Sequence, residues 1–359
     1  MRKLASIREI KAIKDIDGAD KIVCAIVDGW ECVIAKKDCF NVGDKVVYIE
    51  IDSIVPERPE FEFLRDRKFR VRTIKLRKQI SQGLVLPLTI LPKGLYSIGD
   101  DVTEILGIRK YDPEGEQERR NANRITEKSK NPIIRFLMRF GWFRKLYIKP
   151  RKGNFPSWIV KTDEERIQNK VSMFEIEKEL GTKFAVTEKL DGQSLTLFLE
   201  RVRGEKFDFG VCSRNLRLSE PNDSSWWTIA RQINAESVLR ILLGNGNRIV
   251  LQGEIVGRGI QGNKYKVDGY DFYAFNLIID GVKFSTQEMK VILAIHNIKT
   301  VPILEDNFIL LDDIPKMAEY AEGKSVLCST EREGVVVRNN EKNISFKVIS
   351  PKFLLRETS

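Results

Sequence analysis

The sequence predicts an α+β fold in two parts, a small N-terminal β-barrel and a larger domain of antiparallel sheets and helices. Three observations predict it. Over the first hundred residues, short apolar runs alternate with turn signals such as Asp28-Gly29 and Asn41-Val42-Gly43-Asp44. Beyond about residue 152, strand-like runs alternate with helical ones. Between them lies a basic stretch punctuated by Pro113, Gly115 and Asn121 to Asn123. A chain of 359 residues has room for two domains. The expected divisions are 1–106, a connector over 107–152, and 153–359.

In the first part, Ile22 to Val27 and Glu31 to Ala35 flank the turn Asp28-Gly29 and predict a hairpin. Lys45 to Ile51, Phe69 to Leu76 and Gly83 to Pro87 add further strands. About five short strands in some hundred residues fit an OB-type barrel. Arg70, Arg72, Lys75, Arg77 and Lys78 make one arm of it basic, and alternation would turn part of that set toward a phosphate backbone. In the connector, Pro132 to Lys145 has the pattern of a short helix. In the last part, Asp163 to Glu179 and Trp226 to Leu243 read as helices. The strands there are 194–199, 249–256, 270–279, 334–338 and 344–349.

Composition removes several kinds of chemistry. One histidine, His296, excludes a histidine-cluster metal site and argues against a Ser-His-Asp triad. His296 falls in helix-like text and reads as structural. The N-terminus lacks the apolar run of a signal peptide, and no stretch has the length of a membrane span. Five cysteines without C-x-x-C spacing read as reduced thiols of an intracellular, cytoplasmic protein. Cys24, Cys32 and Cys39 read as core or sheet residues. Net charge is +10, and 107–152 is its focus: from Arg109 to Lys152 there are 14 basic and 5 acidic residues. Phe136, Phe140, Trp142, Phe143 and Tyr147 interleave with them, which suits a polyanionic strand. A solvated linker or a docked amphipathic helix has the same pattern.

The run Thr187-Glu188-Lys189-Leu190-Asp191-Gly192 sits between two strand-like stretches. A lysine in that setting is a candidate covalent nucleophile. Taken alone it favours a surface turn with a solvated lysine, since residue frequencies give roughly 0.1 chance matches to K-x-D-G in such a chain. Other elements supply partners. Glu254 lies on the strand Ile249 to Val256, with Gly257, Gly259 and Gly262 following. Asp271-Phe272-Tyr273-Ala274-Phe275 is aromatic, and Phe272 or Phe275 suits a nucleobase as well as it suits a core. Glu333 opens a strand, Lys347 lies within another, and Ser213-Arg214-Asn215 adds an arginine.

In this order these elements resemble the covalent nucleotidyltransferase superfamily of polynucleotide ligases and mRNA capping enzymes. Lys189-Leu190-Asp191-Gly192 matches the nucleophile motif, and Ser213-Arg214-Asn215 the arginine motif that follows. Glu254, Phe272 to Phe275, Glu333-Gly334-Val335-Val336 and Lys347 match the later motifs. The closer resemblance is to ATP-dependent RNA ligases with an N-terminal OB domain, RNA ligase family five. Lys161 to Asn169 and Lys75 to Leu84 carry it. Two points differ from relatives. Ile349 stands where a second lysine is common, so that basic contact is either missing or supplied by Lys352. The chain also ends at Ser359, without the C-terminal OB domain of DNA ligases and capping enzymes.

The resemblance implies an ATP-grasp-like nucleotidyltransferase domain and an ATP-dependent RNA ligase that works as a monomer. ATP is its substrate and Mg²⁺ or Mn²⁺ its metal. RNA with 3′-hydroxyl and 5′-phosphate ends, in a nicked duplex among other forms, is its partner. A lysine with its ordinary pKa of about 10.4 is protonated at neutral pH, so the attack needs nearby positive charge and desolvation. Catalytic roles fall to Lys189, Lys347, Asp191 and Arg214. ATP contacts are assigned to Glu188, Arg166, Asn169, Phe272, Phe275 and Glu254. Asp191, Glu254 and Glu333 are the metal carboxylates. The alternatives are a DNA ligase, a GTP-using capping-type enzyme, and an OB-fold RNA-binding protein without catalysis.

Overall fold

The computed structural model describes residues 3–111, 152–219 and 224–356. The first part contains β1 (Ala5–Asp15), β2 (Ile22–Val27), β3 (Trp30–Ala35), β4 (Lys45–Ile49), β5 (Ser53–Ile54), β6 (Arg70–Val71), β7 (Thr73–Leu76), β8 (Gln79–Gln82), β9 (Leu84–Pro87), α1 (Thr103–Leu106) and β10 (Arg109–Lys110). The main sheet runs β3-β2-β1-β4-β9, with every neighbour antiparallel. Alternation sets its core: Trp30, Cys32 and Ile34 on β3 point inward and are buried. They join Ile7, Ile10, Tyr48, Ile49, Phe61 and Leu106 in one cluster. Strand β10 pairs with β5, and the Tyr111 amide donates to the Asp52 carbonyl at 2.7 Å, so N-terminal pairing continues through Tyr111.

The hairpin at Asp28-Gly29 forms as expected, with Val27 opposite Trp30 and Asp28 left-handed at φ 52°. Glycine is required because the turn abuts the second domain. A Cβ on Gly29 would stand 2.9 Å from Gln168 Cα, and the Gly29 amide donates to the Gln168 carbonyl at 3.3 Å.

The second part contains β11 (Lys152–Asn154), α2 (Val171–Glu179), β12 (Lys183–Lys189), β13 (Gln193–Arg203), β14 (Lys206–Cys212), β15 (Leu216–Leu218), α3 (Ser225–Gln232), α4 (Ala235–Leu243), β16 (Arg248–Gly257), β17 (Tyr270–Ile279), β18 (Val282–Lys283), α5 (Thr286–Ala294), β19 (Lys299–Thr300), β20 (Ile303–Ile309), α6 (Ile314–Tyr320), β21 (Gly334–Asn339), β22 (Ile344–Ile349) and α7 (Pro351–Arg356). One sheet runs β11-β15-β14-β13-β16-β17-β18, with β19 added parallel to β17. Helices α3, α4 and α5 bury one of its faces through Trp227, Leu239 and Met289 against Leu197, Leu251 and Phe272. A second sheet, β20-β12-β21-β22, buries Phe184, Val186, Val335 and Phe346 against Phe174 of α2 and Met317 of α6. The α+β class is therefore as expected.

Several expected elements differ. Helix α2 begins at Val171 rather than at Asp163. Arg166 is extended beside β22 and Ile167–Asn169 form a 3-10 turn, and the Glu165 carbonyl accepts the Lys347 amide at 2.8 Å, so long-range pairing displaces the start of the local helix. The helix expected over 226–243 is two helices, broken where Asn234 is left-handed at φ 48°. The strand expected over 69–76 starts later and divides, with Phe69 at φ 57° before β6 and with β6 and β7 in different sheets. Cys24 and Cys32 are buried, but Cys39 is exposed at a left-handed turn. His296 is half-buried in the turn after α5. The helix expected over 132–145, and most of the basic connector, lie outside the described residues. Among the described residues, no helix is long and apolar enough to cross a membrane.

Candidate active site

Strand β12 delivers Lys189 at its C-terminal end, directly opposite Gly334, the first residue of β21. That register places Glu333 beside the lysine, and Glu333 Oε2 lies 2.6 Å from Lys189 Nζ. Strand β22 follows, with Lys347 opposite Val336. After Lys189 the chain crosses to the other sheet through Leu190, Asp191 and Gly192, and β13 then pairs with β16, bringing Ser194 opposite Glu254. The crossing explains the glycine of the run. A Cβ on Gly192 would stand 2.5 Å from the Ile255 carbonyl oxygen. The site thus lies where the two sheets meet.

A pocket of about 300 Å³ gathers Glu188, Lys189, Arg214, Glu254, Phe275, Glu333 and Lys347. Arg166 lines it too, and the first domain contributes Asp52, Arg70, Lys110 and Tyr111. Asp191 sits beside this group. Its amide donates to the Tyr265 hydroxyl at 2.9 Å and its carboxylate is paired with Lys264. Burial pushes the Tyr265 phenol far above its ordinary range, and the charges of Glu333, Glu188, Cys328 and Glu254 add to the rise.

Glu188 is 1% exposed and accepts a 2.8 Å hydrogen bond from the Val326 amide. Burial raises its pKa, with Ser325, the Val326 amide and Arg332 opposing the rise. Asp163 is a meeting point for cations: Lys347 lies at 3.0 Å, Lys110 at 2.6 Å and Arg214 at 3.2 Å. Burial disfavours its charge, but Lys347, Lys110 and Arg214 outweigh that and hold the carboxyl well below the usual range. Asp52 plays a similar part, 2.7 Å from Arg70 and 3.3 Å from Arg166.

The two candidate stacking residues separate cleanly. Phe275 lines the pocket, and the Arg338 guanidinium lies 5.6 Å from its ring centroid. Phe272, three residues earlier, points to the opposite face and is buried in the core under the helices. Asn169 does not line the pocket. Its amide nitrogen donates to Glu50 at 2.6 Å and its oxygen accepts from the Trp30 indole at 2.8 Å, which ties the two domains together. Lys352 pairs with Glu322 at 2.6 Å and does not replace the missing lysine at Ile349.

The basic arm of the first domain also divides. Arg70 turns into the pocket and packs over Tyr111, with 3.6 Å between guanidinium and ring centroid. Arg72 is half-buried, whereas Lys75, Arg77 and Lys78 are exposed on the β7–β8 hairpin. Sequence reasoning passed over Asp52, Lys110, Tyr111, Asp163, Lys264 and Tyr265. Asp163 lay inside the run that supplied Arg166, and Lys264 and Tyr265 come shortly after the glycines that follow Glu254. Nothing local marks Asp52 or Lys110, because only the packing of the domains brings them in.

Comparison with known proteins agrees with this fold. An OB-fold domain model matches residues 4–88, and an RNA ligase model matches residues 182–349. No curated protein sequence matches the chain. Among solved structures, a variant of Naegleria gruberi RNA ligase with AMP and Mn aligns with a TM-score of 0.81 and 36% identity, covering 100% of this chain and 99% of that one. Another variant, with ATP and Mn, gives 0.80 and 34%, covering 99% of each. A variant without ligand gives 0.79 and 35%, covering 98% of this chain and 97% of that one. With the fold, the order of the motif residues and this identity over nearly the full length of both chains, the protein belongs to the RNA ligase family.

Proposed function

We propose that this RNA ligase uses ATP, and that Lys189 is the residue that carries AMP. The observation that supports it best is the convergence of Lys189, Arg214, Glu254, Glu333 and Lys347 on one pocket. Of the relatives of known structure, one was solved with ATP and Mn and another with AMP and Mn, which accords with this reading. Lys189 Nζ attacks the α-phosphorus of ATP, a P–N bond forms, and the bond to pyrophosphate breaks. An oxygen of the RNA 5′-phosphate then attacks the same phosphorus and releases Lys189. The 3′-hydroxyl finally attacks the adenylylated 5′-phosphate, sealing the strand as AMP leaves.

Each side chain has a part in this scheme. Phe275 stacks on the adenine, and Glu188 lies toward the adenosine. Lys347 faces the α-phosphate and the phosphates that leave, which Arg166 with Arg70 also faces. Arg214 contacts the ribose or the RNA end. Phe272 and Asn169 act indirectly, one through the core and one through the domain junction.

The acidic donor set fits a divalent cation. Asp191, Glu254 and Glu333 offer carboxylate oxygens, the ligand type that hard cations take. Among the described residues no group of three His, Cys, Asp or Glu clasps an ion unaided, so substrate and water are left to complete the shell. Bound Mg²⁺ or Mn²⁺ supplies positive charge against the reacting phosphate.

We assign Lys75, Arg77 and Lys78, with the connector, to the RNA backbone. Arg77 and Lys78 hold left-handed conformations at φ 49° and 71°, which keeps a basic pair at the hairpin tip at some conformational cost. A nicked duplex, a monomeric state, a reducing cytoplasm and a domain division near the start of the connector complete the reading.

Incubation with labelled ATP, GTP or NAD and Mg²⁺ tests it. Label is expected on the protein from ATP alone and is expected to vanish in Lys189→Ala. Labelling from GTP would favour a capping-type enzyme, sealing confined to DNA would favour a DNA ligase, and no labelling with retained RNA binding would favour a non-catalytic role.

A further inference from the structure

We propose that Asp163 is a positioning residue, an internal counter-ion that holds the place of a substrate phosphate and hands its cations over when the phosphate arrives. The proposal rests on the reading of the pocket as an ATP site.

The geometry that leads to it is a convergence across the domain junction. Asp163 Oδ1 lies 3.0 Å from Lys347 Nζ, and Oδ2 lies 2.6 Å from Lys110 Nζ and 3.2 Å from an Arg214 nitrogen. Lys110 belongs to β10, paired with β5 of the first domain, Arg214 follows β14, and Lys347 lies on β22. All four side chains line the pocket that contains Lys189. Three cations from separate elements converge on a single carboxylate. The neighbouring acids are committed elsewhere, Glu164 to Arg338 and Asp52 to Arg70 and Arg166.

Like-charged side chains stay together only while an anion lies between them. A carboxylate does this with two oxygens, and a phosphate does it better, with more oxygens and more charge. Asp163 is also fixed from behind. Two residues on, the Glu165 carbonyl accepts the Lys347 amide, so the carboxylate is held beside Lys347 by backbone pairing as well as by charge. The arrangement keeps Lys347 in register with Lys189 before nucleotide enters. It also makes Asp163 a competitor of the phosphate in the ground state.

Those two effects have a kinetic signature. Removing the competitor strengthens ground-state binding, while loosening Lys347 slows the chemistry, so KM and kcat fall together. A residue that only supports the fold would raise KM or lower kcat alone. Asp163→Asn keeps the shape and removes the charge. It is expected to bind inorganic pyrophosphate roughly fivefold more tightly in calorimetry, as one screened charge at contact distance allows. Its KM for ATP should fall while lysyl-adenylate formation slows about tenfold or more. Asp163→Glu should restore kcat toward the parent value.

Pyrophosphate affinity unchanged or weaker in Asp163→Asn overturns the proposal. If that variant does not fold, Lys110→Gln carries the test. A cation that passes to the phosphate predicts weaker pyrophosphate binding there, and unchanged binding rejects the hand-over. Should the parent enzyme form no lysyl-adenylate from ATP, the reading of the pocket fails and the proposal with it. Normal labelling of the parent combined with unaltered pyrophosphate affinity in the variants rejects the Asp163 role alone.

Discussion

Lys189 and Glu333 form an ion pair, 2.6 Å between Nζ and Oε2, set by the pairing of Lys189 with Gly334 across β12 and β21. The contact aims the amine but also ties it to a carboxylate. For the amine to attack, that carboxylate must be drawn to another positive partner. Glu333 is thus both a guide and a brake. Glu333→Gln keeps a hydrogen-bond acceptor and loses the charge. It is expected to lower the rate of lysyl-adenylate formation by about a hundredfold or more, read in a single-turnover assay with saturating ATP. A change within a few-fold would reduce Glu333 to an ion-pair partner.

Phe272 and Phe275 lie on one strand with opposite fates, and their alanine variants should divide accordingly. Phe275→Ala is expected to weaken ATP binding by about tenfold, since base–aromatic stacking is worth about 1–3 kcal/mol, and to leave the melting temperature nearly unchanged. Phe272→Ala empties a core site and should cost about 3–5 kcal/mol of stability, with little change in KM for the folded fraction. The reverse pattern in denaturant titrations and ATP kinetics would exchange the two roles.

Asn169 joins Trp30 and Glu50 of the first domain to the catalytic domain. Asn169→Ala removes the acceptor of the part-buried Trp30 indole N–H, a loss of about 1–3 kcal/mol. A lower melting temperature with an unchanged KM for ATP is expected. A raised KM at unchanged stability would instead put Asn169 against the nucleotide.

The nucleophile run was legible because its chemistry is local: Lys189 ends β12, and Asp191 and Gly192 follow at once in the short link to β13. Glu254, Glu333 and Lys347 were legible because each sits in a clear strand pattern. The domain junction was not. Asp52, Lys110 and Asp163 meet only through the packing of one domain on the other, and no periodicity encodes that. The same packing explains the helix that failed to start at Asp163, since Arg166 and Glu165 are drawn to Asp52 and β22 instead. Phe272 and Phe275 show a finer limit. Their spacing fixes that they face opposite ways, and the position of the helices decides which one faces the core.

Glu188 gives the protein a pH dependence with a definite sign. Burial comes first among its influences and raises its pKa above the ordinary 4.5. The folded protein therefore holds this proton more tightly than the unfolded chain does. Between 4.5 and the raised value the folded state binds more protons, so the stability that Glu188 contributes is present below 4.5 and is lost as pH rises through its folded pKa. Glu188→Gln removes the ionisation while its amide oxygen still accepts from the Val326 amide. The gain in stability of the variant over the parent, measured by denaturant unfolding, should be larger at neutral pH than at a pH below the carboxylate range. A gain that shrinks as pH rises would mean that the folded site favours the carboxylate, and that Ser325, Val326 and Arg332 outweigh burial.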